Sequence, residues 1–138
     1  MFKYVTKQEI HYEDLVEKYG KAFKRGNVGL ICMLKHIDSG KEIIVANTHL
    51  HWNPKYDYVK FGQSFWLQLQ ISKFMENHNA TKAPVIICGD FNSKPYSSVT
   101  HCMNNLDYSP GPEVKAYKKQ EGIDIYNKVK AQFDSSKS

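Results

Sequence analysis

The stretch from residue 27 to residue 50 reads NVGLICMLKHIDSGKEIIVANTHL and decides the fold. Two apolar runs, residues 27–37 and 41–50, flank the short turn at residues 38–40. Apolar runs joined by a short glycine-containing loop predict a β-hairpin. Because both runs are almost continuously apolar rather than alternating, they also predict strands that are covered on both faces.

A long helix and another strand are predicted after this hairpin. Pro54 can open a helix that continues over residues 55–78, since that segment contains one glycine and no proline. Pro84 then precedes the apolar run VIICG, which predicts a strand. The order strand, strand, helix, strand, helix is typical of a layered α/β architecture with a buried sheet.

The remaining segments give weaker patterns. Residues 2–20 mix aromatic and charged side chains, and their latter part predicts a short helix from about Tyr12 that stops at Gly20. Pro95 suits the first turn of a helix that runs to about Met103, with residues 93–94 near its cap. After Asn105 we expect a loop followed by a helix.

Composition limits the function classes without selecting one. The formal net charge of +5 and the pI of about 9.0 are compatible with a polyanionic partner, although the lysines are scattered. The chain contains no apolar run of the ~20 residues that span a bilayer, and its start lacks the apolar centre of a secretory signal. These features predict a soluble, intracellular protein without a membrane partner. Three cysteines without metal-ligand spacing favour buried free thiols over disulfides.

Two polar clusters follow predicted strands: NTHLHWNP at residues 47–54 and GDFNS at residues 89–93. Strand ends in open α/β sheets are where ligands usually bind, because the loops there converge on a crevice. Asp90 could accept a proton from an attacking water or help to hold a metal, and Asn92 could fix that water or a phosphate oxygen. His49 could stabilise charge that develops on phosphorus. The pattern therefore predicts a phosphodiester site.

A structural interpretation of the same residues carries about equal weight from spacing alone. A histidine at a strand end is commonly a hydrogen-bonded structural residue, and an aspartate between a strand and a helix is commonly a cap or turn residue. Trp52 is assigned to the core or its rim rather than to a base-stacking platform. The other histidines show no partner pattern and are assigned structural or surface positions: His11, His36, His51, His78 and His101.

The motifs THLHWNP and ICGDFNS resemble the endonuclease/exonuclease/phosphatase superfamily, whose strands end in Thr-His and Gly-Asp-x-Asn. Within it, VANTHLHWNPKYDYVKFGQ and PVIICGDFNSKPYSSV are most similar to poly(A) deadenylases of the carbon catabolite repressor type, with nocturnin and the Angel proteins as relatives. NVGLICML also resembles a strand of that family. The similarity runs from about Phe2 to Cys102, and the two motifs carry nearly all of its specificity.

The resemblance implies a Mg²⁺-dependent 3′–5′ exoribonuclease that removes poly(A) tails from mRNA. It implies that Asp90 and His49 are catalytic, with Asp90 also at the metal, and that Asn92 and Pro54 contact the substrate. Poly(A) RNA is then the partner, with a multisubunit deadenylase complex as a further candidate. The implied location is the cytoplasm, with the nucleus as a second compartment.

Two motifs of this family are missing from the chain. Members carry a metal-binding Glu in a Leu-Gln-Glu strand end and a Ser-Asp-His motif near their end, and Gln8-Glu9 is not expected to lie on such a strand. Residues 1–138 are therefore interpreted as a partial catalytic domain with one sheet and its helices, inactive alone and prone to aggregate. The alternatives are a catalytically dead binding or scaffold module of the same fold and a related phosphodiesterase with another substrate.

Overall fold

The computed structural model describes residues 1–104 and 120–136 of the chain. Within these ranges the strands are β1 (Phe2–His11), β2 (Val28–His36), β3 (Glu42–His49) and β4 (Val85–Asp90). The α-helices there are α1 (Val16–Tyr19), α2 (Asp57–Asn77), α3 (Ser98–Met103) and α4 (Gln120–Ser136). The described residues thus form one sheet with helices beside it, which confirms the predicted α/β class.

The four strands form one mixed sheet in the order β1-β2-β3-β4. β1 and β3 are both antiparallel to β2, and Gly29 pairs with Thr48 in the hairpin predicted for residues 27–50. β4 is parallel to β3. Parallel neighbours need a crossover connection, and α2 supplies it after a short 3-10 turn that begins at Pro54. This crossover brings the carboxyl ends of β3 and β4 side by side.

The core lies between one face of the sheet and α2, and continues beyond α2 to α4. Gln8 of β1 donates a hydrogen bond to Gln70 of α2 at 3.0 Å across the first layer. Phe61 of α2 contacts the rings of Tyr126 and Phe133 of α4 at centroid distances of 5.4 and 6.1 Å. Because α2 is packed on two sides, its buried positions extend beyond a single stripe.

The second face of the sheet is open within the described residues, so the prediction that the hairpin strands are covered on both faces is wrong. Side chains alternate between faces along a strand, and those on this face include Val28, Leu30 and Ile86, which are 51%, 37% and 52% exposed. Their apolar character is that of a covered strand, yet nothing in the described part of the chain covers them. The single-sheet expectation is confirmed.

The N-terminal segment forms a strand that its sequence did not predict. β1 runs through Gln8 and Glu9, so the expectation that these residues lie outside a strand is wrong. Its inward positions include Thr6 and Gln8 beside the buried Ile10, so the strand lacks an apolar alternation. The short helix that follows stops at Gly20, where φ is +94°, and this confirms the predicted stop.

The helix expected at Pro95 begins three residues later than predicted. Ser97 caps α3 by accepting a hydrogen bond from the backbone N–H of Thr100, so Pro95 lies in the preceding turn and residues 93–94 are not the cap. The helix expected near the end of the chain is α4, whereas the loop expected after Asn105 falls outside the described residues.

The cysteines are free thiols, as expected, but they are not all buried: Cys102 is buried, Cys32 is half-buried and Cys88 is exposed on the open face. Across residues 1–104 and 120–136, no helix has both the length and the apolar character that crossing a bilayer requires.

Candidate active site

His49 and Asp90 are the last residues of β3 and β4 and are register partners in the parallel ladder. Partners in register point to the same face, and here both side chains point to the open face. His49 Nε2 lies 3.8 Å from Asp90 Oδ2, and the two side chains are 69% and 63% exposed. The fold thus brings the histidine of the first motif and the carboxylate of the second to one place, within reach of one phosphoryl group.

The loop after β4 holds the Asp90 carboxylate in position with a backbone hydrogen bond. Asp90 Oδ1 accepts a hydrogen bond of 2.8 Å from the backbone N–H of Asn92, a residue whose φ is +47°. The Asn92 side chain donates to the carbonyl of Leu50 at 3.0 Å, and the Leu50 N–H donates to the carbonyl of Asp90 at 3.0 Å. Asn92 therefore ties the two motif loops together.

A buried hydroxyl pair lies on the core side of the sheet, next to the strand end that carries His49. The Tyr12 hydroxyl and Thr48 Oγ1 are 2.7 Å apart, and Thr48 also donates to the carbonyl of Val28 at 3.1 Å. Burial raises the pKa of Tyr12 to about 12, although the hydrogen bond with Thr48 opposes this shift. Tyr12 thus remains a neutral hydroxyl at physiological pH, and Thr48 of the Thr-His motif has a structural role beneath His49.

An open hollow of about 540 Å³ lies on the open face of the sheet. It is within the ~300–1,000 Å³ typical of small-molecule sites. Strand residues from across the sheet line it, including Glu9, His11, Asn47, His49 and Asp90. The hollow therefore extends the site from β4 across to β1, over polar and ionisable side chains that a nucleotide could contact.

The described residues supply only part of a metal site. Mg²⁺ prefers several oxygen ligands in octahedral geometry, and Asp90 offers one carboxylate. In residues 1–104 and 120–136 there is no group of three or more His, Cys, Asp or Glu side chains placed to hold a metal ion. Glu9 lies on the same hollow, but its carboxylate is 3.7 Å from His11 Nε2 and 3.8 Å from Lys7 Nζ. The donors in these two ranges therefore do not complete a magnesium site.

His51 and Trp52, beside His49 in the first motif, take opposite positions. His51 is buried, and its Nε2 has no hydrogen-bond partner among the residues that the structure describes. Burial lowers the pKa of His51 below its usual value, and the charges of Arg25 and Lys60 lower it further. Trp52 is 69% exposed, so its assignment to the core or its rim is wrong.

The other two predicted site residues are less central. Pro54 is exposed in the turn before α2 and is not among the residues that line the hollow. Asn92 also lies outside the lining, since its side chain is directed to Leu50. Sequence reasoning missed Tyr12 and Asn27; the Asn27 side chain donates to the carbonyl of His49 at 3.0 Å. Tyr12 lies in no recognisable motif, and Asn27 only begins the family-like segment NVGLICML, which does not mark it as a site residue.

The proteins that are similar to this chain in sequence include Angel and Ccr4 proteins. Protein angel homolog 2 of Danio rerio is 39% identical over 102 residues, which cover 70% of this chain and 18% of that protein. The CCR4-Not complex 3′-5′-exoribonuclease subunit Ccr4 of Saccharomyces cerevisiae is 35% identical over 120 residues, which cover 75% of this chain and 14% of that protein. The chain therefore spans less than a fifth of the length of these relatives. No family model matches it.

Two solved structures, of ANGEL2 and nocturnin, are similar to this chain in fold. The structure of ANGEL2, described as a 2′,3′-cyclic phosphatase in complex with adenosine-2′,3′-vanadate, superposes with a TM-score of 0.64 at 29% identity and covers 75% of this chain and 29% of that one. The human nocturnin catalytic domain with bound sulfate superposes with a TM-score of 0.60 at 26% identity and covers 72% of this chain and 34% of that one. The described residues thus match about a third of a larger catalytic domain.

Proposed function

Since the chain belongs to the endonuclease/exonuclease/phosphatase superfamily, among the homologues of Ccr4, Angel and nocturnin, we propose that it is the part of a poly(A)-shortening 3′–5′ exoribonuclease that binds the scissile phosphate. Residues 1–138 would be a segment of a larger catalytic domain. The observation that carries this proposal is the convergence of His49 and Asp90, 3.8 Å apart, on one open hollow.

The reaction consistent with this geometry is hydrolysis of the 3′-terminal phosphodiester. The Asp90 carboxylate accepts a proton from the attacking water while a bond forms between water oxygen and phosphorus. The bond from phosphorus to the 3′ oxygen of the preceding nucleotide breaks, that oxygen takes up a proton, and AMP is released. His49 donates a hydrogen bond to the phosphate oxygen on which negative charge develops. The backbone N–H of Asn92 holds the carboxylate in position throughout.

Nucleases of this family generally use a divalent metal. We propose Mg²⁺ for the complete enzyme, with Asp90 as one of its ligands and the other ligands supplied from outside the described residues. An incomplete oxygen shell binds Mg²⁺ poorly, so we expect the 138-residue chain to be inactive alone. The enzyme's RNA partner would be poly(A). Because Ccr4 relatives carry the name of a CCR4-Not complex subunit, a multisubunit deadenylase complex is the proposed assembly, in the cytoplasm and the nucleus.

Two other functions follow from particular observations. The partial metal site favours a catalytically dead binding module of the same fold. The similarity to ANGEL2, described as a 2′,3′-cyclic phosphatase, favours a phosphodiesterase that acts on a terminal cyclic phosphate. All three share the phosphate site and differ in what becomes of the bound phosphate.

The experiment that separates them uses the complete gene product that contains this chain. Two RNAs are offered with Mg²⁺: an A20 oligonucleotide with a free 3′ hydroxyl and the same oligonucleotide with a 2′,3′-cyclic phosphate. Shortening of the first supports the deadenylase, opening of the second alone supports the cyclic phosphatase, and binding of either without reaction supports the inactive module.

Asp90→Ala is the test variant and Asp38→Ala its matched control. Asp38 also lies 3.8 Å from a histidine, His36, on the same sheet, but at the hairpin turn away from the hollow. We expect Asp90→Ala to lower kcat/KM by about a hundred-fold or more, the usual scale for a general base, and Asp38→Ala to leave it unchanged. Equal activity of the two variants would refute the assignment of Asp90.

A further inference from the structure

One turn of α2 carries two polar side chains that are buried as deeply as the core. Lys60 is 2% exposed and Gln63 is 0% exposed. Lysine is almost never fully buried unless it is paired, and a buried amide must find hydrogen-bond partners. The partners of these two residues are therefore informative. Each of the two side chains bonds a backbone group of one motif loop, Lys60 that of Asn92 and Gln63 that of His51.

Lys60 is connected to the second motif. Its Nζ donates a hydrogen bond of 2.7 Å to the carbonyl of Asn92 and lies 3.3 Å from Asp57 Oδ1 on the preceding turn of α2. The Lys60 and Asp57 side chains are 3% and 5% exposed. Asn92 is held with φ at +47°, a conformation that is uncommon outside glycine, and its N–H holds the Asp90 carboxylate. Lys60 thus acts on Asp90 through the backbone of Asn92.

Gln63 is connected to the first motif. Its Oε1 accepts a hydrogen bond of 3.0 Å from the backbone N–H of His51, and its Nε2 donates to Asn27 Oδ1 at 3.3 Å. The Asn27 side chain in turn donates to the carbonyl of His49 at 3.0 Å. Gln63 therefore fixes the backbone on both sides of Leu50, including that of His49.

Residues three apart on a helix lie on one face, so Lys60 and Gln63 present their polar groups to the two loops at a spacing set by the helix. We infer that this pair is a clamp of positioning residues, which sets the distance between His49 and Asp90 by fixing both loops to α2. The clamp itself follows from the contacts above; its effect on turnover rests on the proposed function. Neither residue touches the hollow.

The competing explanation is that the pair only stabilises the fold. A purely structural role predicts a lower free energy of unfolding with unchanged properties of the molecules that remain folded. A clamp predicts a local change in those folded molecules: the Asn92 N–H is released when Lys60 is altered, and the His51 N–H is released when Gln63 is altered. Hydrogen exchange at these two amides distinguishes the explanations without requiring activity.

The test uses Lys60→Met in the complete gene product, with Lys73→Met as the control. Lys73 lies on the same helix, is exposed, and has its Nζ 5.9 Å from the Trp66 ring, far from the motif loops in sequence. At temperatures where all variants are folded, we expect Lys60→Met to raise hydrogen exchange at Asn92 about ten-fold, equivalent to the loss of one net hydrogen bond. Gln63→Met, which leaves no unpaired charge, repeats the test at His51 if Lys60→Met fails to fold.

Kinetics supplies the second readout. For Lys60→Met we expect kcat to fall by about a hundred-fold, the scale of a misplacement near 1 Å, while KM stays within about three-fold because Lys60 itself does not line the hollow. Lys60→Arg, which retains a cationic donor, should recover part of kcat. Exchange at Asn92 and His51 equal to that in Lys73→Met would overturn the clamp. If the wild-type gene product has no activity but the variants show the expected exchange, the proposed function is refuted and the clamp still holds.

Discussion

Replacing Gly89 by alanine should destabilise the chain more than any exposed glycine substitution, because two separate costs fall on one residue. Gly89 has φ at +128°, which side chains with a Cβ rarely adopt. A Cβ placed there would lie 1.9 Å from the Thr48 carbonyl oxygen and 2.8 Å from Asn47 Oδ1, so β3 and β4 would have to separate. Gly40 is the matched control, since its φ is +68° and a Cβ added there would have nothing within 4 Å.

The magnitude follows from these two contributions. Strained backbone costs about 1–3 kcal/mol, and overpacking a tight site costs about 1–3 kcal/mol more. Gly40→Ala incurs only the backbone contribution, which is about 1–2 kcal/mol in the left-handed region. We therefore expect Gly89→Ala to lower the free energy of unfolding by about 2 kcal/mol more than Gly40→Ala, a difference of roughly 1 M in the urea midpoint.

The assay is urea denaturation of dilute protein, followed by tryptophan fluorescence. Because Gly89 directly precedes Asp90 in β4, Gly89→Ala should also move the carboxylate away from His49 and lower turnover of the complete gene product, whereas Gly40→Ala should not. Equal urea midpoints for the two variants would refute the close approach of β4 to Thr48 on which this reasoning depends.

Three further predictions concern other parts of the fold. Because the pKa of His51 is lowered in the folded chain, the unfolded chain takes up the proton first as the pH falls. The free energy of unfolding should therefore decrease as the pH drops below about 6.5. In His51→Phe, the urea midpoint should decrease less between pH 7 and pH 5. Ile86→Lys on the open face should reduce light scattering of the concentrated chain, whereas Tyr96→Lys, at a side chain that is 79% exposed, should not. Tyr12→Phe should lower the free energy of unfolding by about 1 kcal/mol through loss of the hydrogen bond to Thr48, and an unchanged thermal midpoint would contradict that bond.

The parts of the fold that could be predicted are those in which local pattern and tertiary environment agree. The hairpin at residues 27–50 combines apolar runs with a glycine turn, and the segment after Pro54 combines a helix start with an uninterrupted helical pattern. Together they place the carboxyl ends of β3 and β4 side by side. This is why the proximity of His49 and Asp90 could be inferred from the amino-acid sequence.

The parts that could not be predicted depend on contacts distant in sequence. β1 turns Thr6 and Gln8 inward, so it lacks the alternation that identifies a half-buried strand. Pro95 fits a first helical turn as well as Ser97 fits a cap, and only the geometry selects Ser97. Lys60 resembles any solvated lysine, because nothing in the sequence reveals that its amino group meets the carbonyl of Asn92.

The open sheet face shows a second reason why part of the fold could not be predicted from the sequence. Continuous apolar strands predict that both faces are covered, and Val28, Leu30 and Ile86 are consistent with that environment. A cover supplied from outside the described residues leaves no signal within them. An exposed apolar patch of this kind promotes association between molecules. We therefore expect the isolated chain to aggregate, and this stays a prediction.

The most direct measurement is a double-mutant cycle of His49→Ala and Asp90→Ala in kcat/KM on poly(A), made in the complete gene product. Groups that act on one phosphate as a unit are strongly non-additive, so we predict that the double variant loses no more than about three-fold beyond the worse single variant. The pair His36 and Asp38, also 3.8 Å apart, should show no loss at all. Independent, multiplying losses at His49 and Asp90, or losses no larger than those at His36 and Asp38, would contradict a shared phosphate site.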